Sequence, residues 1–210
     1  MMRIKTLAKE NDYEEKILQS SAMISQAFQK EKITAHMYDF SRPENIQTWK
    51  RLNEFTAVKL LDTGEKVIVA EDGERVIGTV YLRYSADDGV LKKIRMYFPG
   101  IIKLIFPLFK ALNFKRVLKA AKSFKTDELP ADEYYTLDVI GVSENYRGQG
   151  VGKMLLEEVE KFARQTEGCE GIYLYTGDEN TRDIYSHLGY QLIDEKGDED
   201  LTVYHMFKRV

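Results

Sequence analysis

Apolar residues recur along this chain with two different periods, and the switches between them mark the elements. Residues 3–8, RIKTLA, read as a short strand. Residues 12–28 then set Ile17, Leu18, Met23, Ile24, Ala27 and Phe28 at helical spacing. A second helix is expected from Pro43, a residue suited to a first helical turn, with Ser41 as its cap and Gly64 as its end. Two helices thus follow the first strand. Residues 65–85 place β-branched runs on both sides of Asp72-Gly73, which predicts a hairpin. Residues 133–143, EYYTLDVIGVS, are strand-like and lead into NYRGQGVGKM at 145–154. Beyond that loop Val151, Met154, Leu155, Val159 and Phe162 share one helical face. GIYLYTGD at 171–178 predicts a strand, 180–190 a short helix ending at Gly189, and 191–209 a closing hairpin.

Residues 87–126 depart from this pattern. They hold ten Lys or Arg and, after Asp88, no acid before Asp127, among many Ile, Leu and Phe. Pro99-Gly100 and Pro107 are expected to divide the segment into short helical pieces. Runs of like charge are usually solvated faces, so the expectation is helices packed on the domain with their lysines in water. A lid over an acceptor site, a dimer face and a membrane-surface helix are the functional readings beside it.

The order of elements predicts one domain over 1–210 with the helical insertion at 87–126. Hydrophobic residues make up 43% and charged residues 31%, ordinary usage for a folded soluble chain, and no repeat or low-complexity tract interrupts it. A net charge of −3 argues against long-range attraction to nucleic acid. The single Cys169 excludes an intrachain disulfide and a multi-cysteine metal site. His36, His187 and His205 lie in separate segments without acidic partners at ligand spacing, so no metal is expected. The N-terminus turns polar before an apolar run forms, and no stretch of about 18 uncharged apolar residues exists, so a cytoplasmic chain without a secretory signal or membrane span is expected, and a membrane partner is not the favoured reading.

The glycines of the 145–154 loop invite comparison with phosphate-cradling patterns. A P-loop fails twice, because Arg147 stands where its first glycine belongs and Met154 where its hydroxyl belongs. Gly148, Gly150 and Gly152 are spaced G-x-G-x-G, so the dinucleotide fingerprint fails as well. The pattern that fits is [RQ]-x-x-G-x-[GA], from Arg147 to Gly152 between a strand and a helix. A helix N-terminus there offers unpaired N–H groups and the positive end of the helix dipole, which suits a diphosphate.

With that loop, the run LDVIGVSENYRGQGVGKMLLEEVEKFA and the downstream YLYTGDENTRDIYSHLGYQ, the sequence resembles the GNAT superfamily of acyl-CoA-dependent N-acyltransferases. The resemblance implies an α/β (α+β) GNAT fold. Its mixed, mostly antiparallel sheet would have about six or seven strands flanked by helices, with the insertion between strands 3 and 4. It implies acetyl-CoA as acyl donor and a primary amine of a small molecule or peptide as acceptor; a homodimer is the partner expected if the insertion is a dimer face. The cofactor-binding residues it implies are Ile140, Gly141, Val142, Arg147, Gly148, Gln149, Gly150, Val151, Gly152, Lys153, Asn180 and Tyr185. Tyr185 would serve the thioester sulfur, and Asn180 the pantetheine or phosphate arm.

An amine with a pKa of about 10.4 must lose a proton before it attacks. Asp138, in the strand before the loop, and Glu133, at its start, are the candidate bases; a bulge could change the face Asp138 uses. Backbone N–H groups from Val139 to Val142 would stabilise the oxyanion if that strand parts from its neighbour. A CoA-binding regulatory module without transfer activity, and a peripheral membrane protein using the basic insertion, are the alternatives.

Overall fold

A computed structural model describes residues 2–9, 12–85 and 102–210. Seven strands form one sheet: β1 (Met2–Thr6), β2 (Lys66–Asp72), β3 (Arg75–Tyr84), β4 (Tyr134–Val142), β5 (Gly171–Thr176), β6 (Gln191–Gly197) and β7 (Thr202–Arg209). Their order is β1-β2-β3-β4-β5-β7-β6, and only the β4–β5 pair is parallel. The fold is the expected mostly antiparallel α/β arrangement.

Residues of β2 alternate between the two faces, and those of β3 do so on either side of a register shift opposite Ala70/Glu71, which puts Ile77 on the same face as Val80 and Leu82. Ile68, Ala70, Ile77, Val80 and Leu82 meet α6 (Val151–Gln165) on one face. Val67, Val69, Val76 and Tyr81 meet α1 (Tyr13–Ala27) and α3 (Pro43–Asp62) on the other. Gly78 lets α6 approach β3 closely, since a Cβ there would lie 2.9 Å from Leu155 Cδ1 and 3.0 Å from Val151 Cγ1. That approach fixes where the N-terminus of α6 sits.

Several expectations are corrected. A further helix, α2 (Lys32–Met37), lies between the two predicted ones and is capped by Glu31, whose carboxylate accepts from the N–H groups of Ile33 (3.0 Å) and Thr34 (2.8 Å). Arg42, not Ser41, occupies the N-cap position of α3, and its side chain makes no cap bond. The hairpin loop is Gly73-Glu74, with Asp72 paired to Arg75. Pro107 does not break the insertion. A helix, α4, runs over residues 102–111, and the chain turns only at Leu112-Asn113 before α5 (Phe114–Ala120) and a 3-10 turn at Ala121–Phe124. Proline removes a single N–H bond, and the carbonyl it orphans belongs to exposed Lys103, where water can serve it. Pro99 and Gly100 lie outside the described residues.

The described insertion packs behind α2. Asn113 N–H donates to Met37 O (2.8 Å), Asp39 N–H to Ala111 O (2.8 Å), and Ala120 joins Ile33, Leu201 and Val203 in a small core. His205 on β7 pins the end of the insertion to the sheet. Its Nε2 lies 2.8 Å from Ser123 O, which can only accept, so Nε2 carries the proton and Nδ1 accepts from the Tyr173 hydroxyl at 2.6 Å. Burial lowers the pKa of this fully enclosed imidazole, and its role is structural.

Candidate active site

The site originates in a one-residue irregularity of β4. Against β3, Tyr81 pairs with Val139 and Leu82 with Leu137, so Asp138 is an extra residue in a β-bulge. On β4, Tyr135 and Leu137 belong to the α6-side core, and beyond the bulge Ile140 and Val142 do, while Val139 turns to the α1 side. On its other edge β4 pairs with β5 only from Tyr134 to Thr136. From residue 137 onward the two parallel strands diverge, and a cleft of about 610 Å³ opens between them.

Asp138, Ile140, Gly141, Val142, Arg147 and Tyr185 all line that cleft. A second hollow of about 490 Å³ continues past Ile140, Gly141 and Val142 between α6 and α7 (Glu179–His187), bounded by Gly152, Lys153 and Tyr185. Gly148, Gln149, Gly150 and Val151 border neither hollow and form the turn that leads into Gly152 and Lys153; Asn180 and Glu133 are separate exceptions described below.

The loop ahead of α6 is prepared for an anion. Gly148 and Gly150 have φ of +74° and +81°, the left-handed region that side-chain-bearing residues avoid. Gly150 is the N-cap of α6 and supplies no side-chain bond, and the first turn of α6 holds no acid. Helices α1, α3 and α7 each carry glutamate in that turn. The N-terminal N–H groups of α6 therefore face outward with Lys153 beside them, which is the charge pattern a phosphate requires. Val151 is buried and anchors the turn, while exposed Gln149 bonds back to Asn145 O at 2.9 Å and so braces the loop.

Tyr185 is the one buried residue of α7, 7% exposed, with its ring set edge-on to Tyr190 at 5.4 Å. Burial raises its pKa, so the phenol is neutral and available as a hydrogen-bond donor. Asn180 is exposed and borders neither hollow; Thr181 borders both. Nor does Asn180 cap the helix, because Asp178 does, accepting from Thr181 N–H at 2.9 Å.

The two candidate bases separate. Glu133 lies at the far end of β4, accepts from the Tyr84 hydroxyl at 2.7 Å, and does not border the cleft. Asp138 does, with both oxygens held by Arg83 through Nε and through Nη2 at 2.6 Å. Sequence reasoning missed Glu31, Trp49 and Tyr175, which also line the cleft. Burial first, then the negative charge of Asp138, hold the Tyr175 phenol at about 12. Its signal was present in GIYLYT, where Ile172 and Leu174 point to the core and the tyrosines alternate to the opposite face.

Comparison with known proteins agrees with this geometry. A model of the acetyltransferase (GNAT) family matches residues 25–190. The solved histone acetyltransferase HPA2 and related acetyltransferase from Corynebacterium glutamicum is 17% identical, with 98% of this chain and 95% of that one covered and a TM-score of 0.62. PaiA N-acetyltransferase from Thermoplasma acidophilum, in complex with coenzyme A, is 15% identical over 100% and 99% of the two chains, with a TM-score of 0.57. An agmatine N-acetyltransferase is 14% identical over the whole of both chains, with a TM-score of 0.61. No curated protein sequence matches. The chain belongs to the GNAT acetyltransferase family.

Proposed function

We propose that this chain moves an acetyl group from acetyl-CoA to a primary amine of a small molecule or peptide, by direct attack within a ternary complex. The observation that carries this reading is the divergence of β4 from β5 directly beside an uncapped, acid-free helix N-terminus. Bound acetyl-CoA would bring an acyl thioester, which a neutral amine can attack without prior activation by the protein.

The chain's own residues then divide the work. Backbone N–H groups from Gly148 to Lys153 hold the diphosphate, with Arg147 adding charge from the loop. The free edge of β4 from Val139 to Val142 offers N–H donors to the developing oxyanion, already fixed in place by pairing with β3 on the opposite edge. Asp138 receives the proton of the incoming ammonium. Arg83 occupies two of the roughly four lone-pair positions of its carboxylate, leaving the others for the amine or a relaying water. Tyr185 serves the departing sulfur. A thiol titrates near 8.5 and a phenol near 10 before burial raises it, so Tyr185 stabilises the thiolate by donating a hydrogen bond rather than by giving up its proton, and the second proton of the attacking nitrogen passes to the sulfur as the C–S bond breaks.

No covalent enzyme intermediate is needed. Cys169 does not border the cleft, and burial raises its thiol pKa. The cleft lining holds Glu31, Asp138 and Asp178 together with Lys30, Lys32 and Arg147, and the three carboxylates already have partners in the fold, so its charge alone does not choose the amine. The similarity to agmatine and polyamine N-acetyltransferases supports beginning with those amines.

The test is thiol release from acetyl-CoA across polyamines, agmatine, aminoglycosides and peptides with free N-termini. Turnover that saturates in one amine class is expected. Tight acetyl-CoA binding by calorimetry with no thiol release from any amine would leave a binding module in place of an enzyme.

A further inference from the structure

The insertion presents apolar side chains in two opposite directions. On α4, Leu104 and Ala111 turn inward, 8% and 0% exposed, and hold the helix to the domain. Ile102, Ile105, Phe106 and Phe109, at the i, i+3, i+4, i+7 spacing of a single helical face, turn outward, and Phe106 is 69% exposed. The outward face continues onto α5, where Phe114 stacks on Phe109 with ring centroids 4.5 Å apart and Leu118 is 74% exposed. A helix that is apolar on both sides belongs between two apolar neighbours, and among the described residues only one of them is present.

The charge around this face identifies the second neighbour. Residues 102–126 hold seven Lys or Arg and no acid, within a chain of net charge −3. Lys103, Lys110, Lys115 and Arg116 are exposed around the apolar face. The Lys110 ammonium lies 4.7 Å from the centre of the Phe106 ring, so its stem follows the apolar surface while its charge stays at the rim. A second copy of the chain docked across a two-fold axis would set this basic face on an identical basic face. No helix among the described residues is long and apolar enough to cross a membrane. We propose that α4 and α5 form a peripheral docking surface for an anionic lipid bilayer, with Ile102, Ile105, Phe106, Phe109 and Leu118 entering the headgroup boundary and the basic rim meeting lipid charge. The predominantly acidic remainder of the molecule is repelled by the same surface, which fixes one orientation.

The experiment is co-sedimentation of the full chain with vesicles of phosphatidylcholine alone and of phosphatidylcholine mixed with phosphatidylglycerol. It compares the wild type with the double variants Phe106→Asp/Phe109→Asp and Lys103→Glu/Lys110→Glu, each checked for acetyl-CoA binding and for its unfolding midpoint. The wild type is expected to bind the anionic vesicles, to release on raising salt, and to lose affinity by at least about tenfold in either double variant. Lys103 and Lys110 are both exposed and Lys110 touches only the exposed Phe106 ring, so the charge-reversed pair keeps the test open if the aspartate pair misfolds. Equal binding to both vesicle types, or none to either, overturns the proposal. So does a wild-type dimer that becomes monomeric in Phe106→Asp/Phe109→Asp while binding no vesicles; the face is then a protein interface.

Discussion

Helices α6 and α7 both follow a strand of the central sheet and both begin beside the cleft, yet their first turns are finished in opposite ways. Asp178 closes α7 with its own carboxylate, taking the N–H of Thr181 at 2.9 Å and its hydroxyl at 3.0 Å, and Glu179 follows. Gly150 opens α6 with no side-chain bond, no acid and a left-handed backbone. A capping side chain is worth about 1 kcal/mol, and α6 forgoes it. The difference separates a helix that keeps its first donors for itself from one that, in the proposed function, leaves them for an outside anion.

The largest effect should come from closing the open end. Gly150→Asp puts an anion at the helix start and a side chain at φ +81°, although a Cβ there meets nothing within 4 Å. Acetyl-CoA affinity is expected to fall by at least about a hundredfold from like-charge repulsion and backbone strain together, read by calorimetry on a variant that still unfolds cooperatively. Affinity unchanged in the folded variant would erase the contrast between the two helices.

Next is the residue α7 contributes once its end is closed. Tyr185→Phe removes one hydrogen bond to the departing sulfur, so kcat should fall about ten- to a hundredfold with acetyl-CoA affinity nearly unchanged. Full turnover in Tyr185→Phe would reduce Tyr185 to core packing.

Smaller still is the loss of the cap. Asp178→Ala should cost about 1 kcal/mol of stability in denaturant unfolding and leave acetyl-CoA affinity within a few fold. If it instead abolished acetyl-CoA binding, α7 rather than α6 would hold the diphosphate.

The smallest effect concerns acid. Backbone bonding from Thr181 first, then its hydroxyl, hold the Asp178 carboxyl below its ordinary value near 3.8. A group whose folded pKa is depressed contributes stability above its unfolded pKa and loses it as pH falls through the folded one. The Thr181 amide resonance should therefore shift as pH falls below about 3.8 toward that lower value, while the amides of Gly152 and Lys153 show no such step. A common titration at both ends would mean that some carboxylate also reaches α6.

The glycine loop was legible in the sequence because its chemistry excludes other residues: left-handed positions and an uncapped helix leave few alternatives to Gly148 and Gly150. Tyr185 was reached through the family resemblance of YLYTGDENTRDIYSHLGYQ, and the structure adds that it is the one buried residue of its helix. Glu31 and α2 escaped notice because six residues give no periodicity, and glutamate is not among the usual capping residues. Asp138 and Glu133 looked equivalent on a strand, and only pairing with β3 shows which stands at the cleft. The start of α7 was read one residue late, at 180 instead of Glu179, because it depends on which side chain reaches the Thr181 amide. Pro107 misled because its cost is set by whether water can reach one carbonyl.

The bulge at Asp138 also bears on which changes of chain length β4 can absorb. Removing Asp138 alone would leave Leu137 adjoining Val139, both still opposite Leu82 and Tyr81, so each core would keep its own side chains and only the cleft would lose a member. Removing Ile140 would instead reverse everything downstream and send Val142 toward Ile24, Phe28 and Met23, which lie only 3.5–3.6 Å from where a Cβ on Gly141 would sit. Within one strand, the cleft-lining carboxylate is a separable addition to the architecture, and a gene could gain or lose it in a single codon without redrawing the fold.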